Sequence, residues 1–160
     1  MSMSLPSPSS SRRALAAICL LLAAFGAQSQ SAPPSDPRGR WITASGNLEV
    51  EIAPCGDALC GTVTRVLANR SMEGGGAPMQ PVDTRPALGM TLLRDFRPAG
   101  VDQPPTQWAG ELYNRENGTT YSCNMSMDSA GQAPGELVLH PYVGLPLFGK
   151  TQRWLRAAAN

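Results

Sequence analysis

The sequence predicts an all-β fold, a small eight-stranded, mainly antiparallel up-and-down barrel. Three observations predict it: eight short segments have strand character, turn signals separate each from the next, and no segment has the periodicity of a helix. Eight strands connected in order can close into a barrel, which removes the sheet edges and encloses side chains or one small ligand. A two-sheet sandwich is the alternative.

The first 29 residues have the features of a secretory signal peptide. Arg12 and Arg13 precede an apolar run, 14–24, that is too short to span a bilayer, and Ala27-Gln28-Ser29 supplies a cleavage context of small residues. A retained membrane anchor is the alternative. We therefore expect a periplasmic or secreted protein with no membrane span after cleavage. The expected organisation is a signal peptide at 1–29, a flexible linker at 30–38, a single barrel domain at 39–156 and a tail at 157–160.

The charge balance argues against a nucleic-acid partner. The chain has 13 basic and 12 acidic residues, and Arg12 and Arg13 leave with the signal peptide, so the mature chain is close to neutral. Neither a basic stripe nor an acidic run remains in the sequence. Two classes of partner are left, a small apolar ligand and an envelope protein.

The barrel begins with three strands. Residues 39–43 form the first, and a Ser-Gly-Asn sequence turns it. In the second, Leu48, Val50 and Ile52 alternate with Glu49 and Glu51, so the apolar side chains are expected to point inward and the carboxylates to face solvent. The third strand, at 59–67, is rich in β-branched residues.

Cys55 and Cys60 flank the corner between the second and third strands. In an oxidising compartment this pair predicts a disulfide across a tight turn. A metal site is the alternative, but the only histidine is His140 and there is no second cysteine pair, so we expect neither a metal nor a cofactor. Cys123 is expected to be a buried free thiol that packs as a small apolar residue.

Two long loops flank the fourth strand, which is expected at 88–96. The first loop, 69–85, contains three consecutive glycines without the Lys-Ser/Thr of a phosphate-binding loop, so we interpret it as flexible. The second, 97–106, is rich in proline. Asp83 and Glu116 lie beside loops, where carboxylates could line a barrel mouth, but nothing marks them as a catalytic pair.

A hairpin joins the fifth and sixth strands, and Asn117 and Gly118 form its turn because both tolerate positive φ. The strand after it alternates cleanly between apolar and polar residues, which indicates one buried face. The side chains expected inside the barrel are Trp108, Leu112, Tyr121, Cys123, Met125 and Met127.

The turn also predicts which residues pair. A two-residue turn pairs Glu116 with Thr119 and places Leu112 opposite Cys123, and a four-residue loop, 115–118, is expected to keep that register. A slip of one residue would move every side chain to the wrong face.

The last two strands are expected at 136–143 and 149–156. Pro141 indicates an edge or a bulge. His140 lies on the face opposite Leu137 and Leu139, so we expect it on the surface without a partner. A hydrolase-type enzyme would need His140 or a loop carboxylate inside a pocket, and no nucleophile motif accompanies it, so no catalytic residue is assigned.

Several segments, in this order, carry a resemblance to a known family: Gly39-Arg40-Trp41, Pro54-Cys55-Gly56 through Leu59-Cys60-Gly61, Arg85 through Gly89, Trp108-Ala109-Gly110 with Tyr113 through Tyr121, and Gly144 through Arg156. Together they resemble the exported bacterial domain-of-unknown-function family number 2147 over nearly the whole mature chain. The resemblance implies an exported, single-domain β protein, and it supplies no catalytic residues because the family has no established activity.

A second resemblance concerns the fold alone. Gly39 and Trp41 on the first strand, with a basic residue at the end of the last, are similar to the lipocalin pattern, a calycin-like barrel in which an arginine lies across the tryptophan. This resemblance implies a cation–π contact between Arg156 and Trp41, worth about 0.5–2 kcal/mol.

The inward side chains of the hairpin allow two interpretations. They can fill the barrel as core, as side chains commonly do in small barrels. They can also line a pocket for an apolar ligand, because methionine and aromatic side chains adapt to varied apolar surfaces. The resulting hypothesis is a periplasmic barrel that binds a small apolar molecule through Trp108, Leu112, Tyr121, Met125 and Met127. The alternative is a structural or protein-interaction module acting through loops 69–85 and 97–106.

Overall fold

The computed structural model describes residues 36–72, 75–128 and 135–158. The predicted signal peptide lies outside the described residues. The strands are β1 Gly39–Ile42, β2 Leu48–Cys55, β3 Ala58–Val66, β4 Thr91–Pro98, β5 Gln107–Asn114, β6 Thr119–Asp128, β7 Glu136–Tyr142 and β8 Gln152–Arg156. Each strand pairs antiparallel with the next and β8 pairs with β1, so the sheet is closed. The predicted up-and-down barrel is confirmed, and the sandwich alternative is wrong.

The fourth strand begins three residues later than expected, at Thr91. A turn occupies the preceding residues, where Met90 donates its N–H to the Ala87 carbonyl at 3.0 Å. Gly89 has φ +81, a conformation outside the regular β-strand region, which suits a turn. The last strand likewise begins at Gln152, after a 3₁₀ turn at Pro146–Phe148, the one helical segment among the described residues.

A single hydrophobic core fills much of the barrel. Leu48, Val50 and Ile52 are buried, as their alternation predicted. The other buried apolar side chains come from all the remaining strands and include Trp41, Val63, Leu93, Phe96, Trp108, Leu112, Cys123, Met125, Met127, Leu137, Leu139 and Trp154.

The expectation that Glu49 faces solvent is wrong. Its side chain is buried. The β2–β3 register shifts between Glu49 and Val50, because Thr64 is an extra, bulged residue on β3. Arg40 from β1 and Arg65 from β3 lie 3.3 and 3.5 Å from the two carboxylate oxygens. A carboxylate inside a sheet needs such partners, because an unpaired buried charge is strongly destabilising.

The register of the β5–β6 hairpin differs from the prediction. Asn114 pairs with Thr119, and Leu112 lies opposite Tyr121. The predicted pairing of Glu116 with Thr119 is therefore wrong by two residues. A shift of two leaves every side chain on its predicted face, because strand side chains alternate with a period of two.

Side chains within the turn explain this register. The N–H of Gly118, which has φ +72, donates to the Asn114 carbonyl at 2.8 Å. The side-chain oxygens of Asn114 and Asn117 accept from the N–H groups of Glu116 and Thr119, at 2.9 and 3.0 Å. These bonds close the four-residue loop 115–118, so the expectation that this loop would keep the register of a two-residue turn is also wrong.

Strand β4 bends where it crosses the hairpin. Its register with β5 changes between Arg94 and Arg97, and Asp95 has φ +53. The ring of Phe96 then lies against Gly110, where an added Cβ would stand 2.7 Å from the ring. Glycine is thus the only residue type that fits at position 110, beneath the Phe96 ring.

Because the strands run up and down, successive loops alternate between the two ends of the barrel. One end, here called the Trp41 end, carries residues 36–38, the β2–β3 turn, the β4–β5 loop and the end of β8. The other, the cavity end, carries the β1–β2, β3–β4, β5–β6 and β7–β8 loops. The loops 69–85 and 97–106 therefore lie at opposite ends and do not form one surface.

Candidate ligand-binding cavity

The cavity end encloses a space of about 480 Å³. This volume falls within the range of small-molecule sites, roughly 300–1,000 Å³. Leu48, Leu92, Leu112 and Trp154 belong to both its lining and the hydrophobic core. The four loops of the cavity end and the adjoining ends of the strands supply the rest of the lining.

The five predicted ligand-binding residues divide into two groups. Leu112 and Tyr121, which pair with each other, line the cavity. Trp108, Met125 and Met127 do not line it and lie in the buried core. Strands β5 and β6 run the length of the barrel, so alternation predicts the inner face but not the depth of a side chain within it.

Several lining residues were missed by sequence reasoning. Met72 and Met79 come from the β3–β4 loop, and Tyr142, Phe148 and Lys150 come from β7 and the loop after it. The β3–β4 loop has no periodicity that would reveal its packing. The tyrosines did carry a signal, because all three in the chain lie near strand ends that an up-and-down barrel brings to one end.

The β3–β4 loop, expected to be flexible, is bonded to the β5–β6 turn in its described part. Val82 and Asp83 donate their N–H groups to the carbonyls of Glu116 and Arg115, at 2.9 and 3.1 Å. The Glu116 carboxylate accepts from the Ser71 hydroxyl and from the Met72 N–H. These bonds position Met72 and Met79 over the cavity.

Asp83 supports this loop from outside the cavity lining. Its carboxylate accepts from the Arg85 side chain, at 2.9 Å from Nε, and from the Tyr113 hydroxyl at 2.8 Å. The Arg85 guanidinium, and after it the Tyr113 hydroxyl, lowers the pKa of Asp83 well below its ordinary value. Glu116 lines the cavity, whereas Asp83 does not, so the two carboxylates do not converge there.

The Trp41 end contains the contact implied by the lipocalin-like pattern. The guanidinium carbon of Arg156 lies 4.1 Å from the centre of the Trp41 ring. Arg156 also donates to the carbonyls of Arg38 and Asp36, at 3.2 and 3.1 Å, and Trp41 Nε1 donates to the Pro37 carbonyl at 2.8 Å. These groups cover this side of the core.

Gly39 makes room for this arrangement. It has φ +119, and an added Cβ would lie 2.9 Å from the Arg156 guanidinium. A larger residue would therefore be strained and would displace the arginine.

The cysteines are placed as expected. Cys55 and Cys60 form a disulfide beside the β2–β3 turn, with Cα atoms 5.8 Å apart. Cys123 is free and buried in the core. Burial raises the pKa of its thiol to about 12, so the thiol stays protonated at neutral pH.

His140 faces outward, as predicted, but it has partners. Its Nε2 lies 2.7 Å from the Pro146 carbonyl and must therefore donate, while Nδ1 lies 3.0 Å from the Thr151 hydroxyl. His140 fastens the β7–β8 loop and does not line the cavity. Pro141, next to it, lies beyond the last β7–β8 pair, Leu139 with Gln152, a local edge that accommodates the missing N–H.

Two absences hold for residues 36–72, 75–128 and 135–158. No group of three His, Cys, Asp or Glu side chains comes together there as a metal site. No helix in the same residues is long and apolar enough to cross a membrane.

Comparison with known proteins identifies the family. Residues 39–156 match the family model described as an uncharacterized protein conserved in bacteria (DUF2147), so the chain belongs to this family. Protein HP1028 from the human pathogen Helicobacter pylori, described as belonging to the lipocalin family, has a similar structure, with a TM-score of 0.51 and 18% sequence identity. The match covers 77% of this chain and 84% of the other, and it shows a shared lipocalin-like fold. No curated protein matches the chain in sequence.

Proposed function

We propose that this protein is an exported, non-catalytic carrier that binds a small apolar molecule in the cavity end of its barrel. The observation that carries the proposal is the cavity itself. The Trp41 end of the same barrel is covered and filled, whereas the cavity end leaves about 480 Å³ open.

The lining supports an apolar ligand. Leu92, Leu112 and Trp154 face the cavity from the strands, and Met72 and Met79 face it from the loop above. Burying about 200 Å² of apolar ligand surface contributes about 5 kcal/mol before the costs of association. Methionine side chains adapt to irregular apolar shapes, so they suit a cavity wall.

Export is supported by the leader sequence and the disulfide. The segment at 1–29 has the charge, length and cleavage context of a signal peptide. The Cys55–Cys60 bond suits an oxidising compartment, and disulfides are rare in the bacterial cytosol. Both features support the periplasmic location that we propose.

Native mass spectrometry of the protein purified from the periplasm tests this proposal. We expect a mass above that of the mature chain, with the excess lost on denaturation, and an N-terminus that follows Ser29. The denatured chain should be two hydrogens lighter than its fully reduced form, because it contains one disulfide. A protein that retains its leader, or that carries nothing and takes up no neutral apolar compound, contradicts the proposal.

A second candidate function is interaction with an envelope protein through the β7–β8 loop. Val143, Leu145, Leu147 and Phe148 in this loop are 66, 63, 86 and 75% exposed. Clustered apolar side chains on a surface are typical of interaction sites. Replacing Leu147 and Phe148 with serine should then abolish periplasmic cross-links that wild-type protein forms, and unchanged cross-links would remove this candidate.

A further inference from the structure

We propose that the cavity selects an amphiphile with a carboxylate or similar monoanionic head group, and that Lys150 and Arg115 bind this head group at the rim. This inference rests on the proposed ligand-binding function and specifies the class of ligand.

The acceptors that line the cavity are already engaged by the protein. The Glu116 carboxylate accepts from Ser71 and from the Met72 N–H. The Asn114 side-chain oxygen accepts from the Glu116 N–H, and that of Gln152 accepts from Trp154 Nε1. None of these acceptors is therefore left unsatisfied without a donor from a ligand.

The hydrogen-bond donors that line the cavity have fewer partners within the protein. Arg115 Nε is buried and has no hydrogen-bond partner within the described residues. Lys150 is the single lysine of the chain, and its ammonium forms no ion pair with any described carboxylate. The Tyr121 hydroxyl accepts from Asn117, which leaves its own proton to donate.

The charged side chains that line the cavity have a net charge of +1. Arg115 and Lys150 are the cations among the described lining residues, and Glu116 is the only carboxylate among them. Arg115 Nη2 donates to the backbone carbonyls of Asp83 and Arg85. Arg115 forms no ion pair with a carboxylate in the part of the chain that the structure describes. A ligand monoanion would balance this net positive charge.

The positions of these two cations favour an amphiphilic ligand. Arg115 lies in the β5–β6 turn and Lys150 in the β7–β8 loop, both at the cavity end. Leu92 and Trp154, by contrast, lie in the barrel core. An apolar tail would therefore enter the barrel and an anionic head group would stay at the rim.

Isothermal titration calorimetry with decanoate and decan-1-ol at neutral pH tests the inference, because the two probes share a chain and differ in charge. We expect wild-type protein to bind decanoate about tenfold more tightly, the ratio that one charge-assisted hydrogen bond supplies. Lys150→Met should remove most of this preference, whereas Lys150→Arg should retain it. Arg97→Met is the matched control, because it removes one exposed positive charge from β4 near the Trp41 end.

The outcomes separate the two proposals. Equal binding of both probes, or a decanoate preference that survives Lys150→Met, overturns the anion inference and leaves the apolar carrier standing. Binding of neither probe contradicts the carrier as well. An equal loss of preference in Arg97→Met would show a general charge effect and would also overturn the role of Lys150.

Discussion

The two ends of the barrel use similar residues in different ways. At the Trp41 end, Arg156 lies on an indole ring and donates to two carbonyls. At the cavity end, Arg115 also donates to two carbonyls but leaves a buried Nε unpaired. The comparison teaches that an arginine at a barrel end can be satisfied fully, where an indole ring lies beneath it, or only in part, where the barrel below contains a cavity.

Truncating a large side chain should destabilise the protein far more at the Trp41 end than at the cavity end. Trp41 is fully buried, so Trp41→Ala should lower the free energy of unfolding by about 3–5 kcal/mol. Phe148→Ala at the cavity end should change it by less than about 0.5 kcal/mol, because this ring is 75% exposed. Urea denaturation measures both values. Similar losses in the two variants would contradict the idea of one filled and one open end.

The disulfide should stabilise the Trp41 end by a smaller amount. Replacing Cys55 and Cys60 with serine should lower the free energy of unfolding by about 2 kcal/mol, because a short loop is no longer closed in the unfolded chain. Cys123→Ala serves as the control for losing a cysteine, and it should not change the response to reductant. Wild-type stability that is unaffected by reduction would show that the disulfide does not contribute.

The Trp41–Arg156 contact should give a measurable coupling. In a double-mutant cycle with Trp41→Ala and Arg156→Ala, we expect a coupling energy of about 0.5–2 kcal/mol. Additive losses would mean that the two side chains are neighbours without an energetic interaction.

At the cavity end, the smallest expected effect depends on pH. The pKa of Asp83 is lowered in the folded state, so its contribution to stability is present above the unfolded value of 3.8 and is lost as pH falls below it. Asp83→Asn should therefore weaken the protein at neutral pH and flatten the decline in stability below about pH 4. Urea midpoints at neutral and acidic pH measure this, and an unchanged acid profile would argue against the Arg85–Asp83–Tyr113 network.

The sequence was sufficient to predict which face of each hairpin strand is buried. In β6 and β7 the alternation correctly placed Cys123, Met125, Leu137 and Leu139 inside. It did not predict depth, since Met125 in the core and Tyr121 at the cavity share one face. Depth depends on which strand ends meet, and that follows from barrel closure.

Pairing details were harder to predict, because they depend on side-chain bonds within turns and across strands. Two hairpin registers two residues apart place the same side chains inside, and bonds from Asn114 and Asn117 select one of them. The burial of Glu49 likewise depends on Arg40 and Arg65 on the neighbouring strands. The β3–β4 loop packs through backbone bonds to a distant turn, which no local pattern reveals.

The central claim is that ligands bind at one end of the barrel only. Titration with the neutral fluorescent probe N-phenyl-1-naphthylamine tests it most directly in two variants that add the same bulky side chain. Met79→Trp narrows the cavity, and Val101→Trp adds an indole to an exposed position on the β4–β5 loop at the Trp41 end. We expect wild type and Val101→Trp to bind the probe equally and Met79→Trp to bind at least about tenfold more weakly. Unchanged binding by Met79→Trp, or an equal loss in Val101→Trp, would contradict the account.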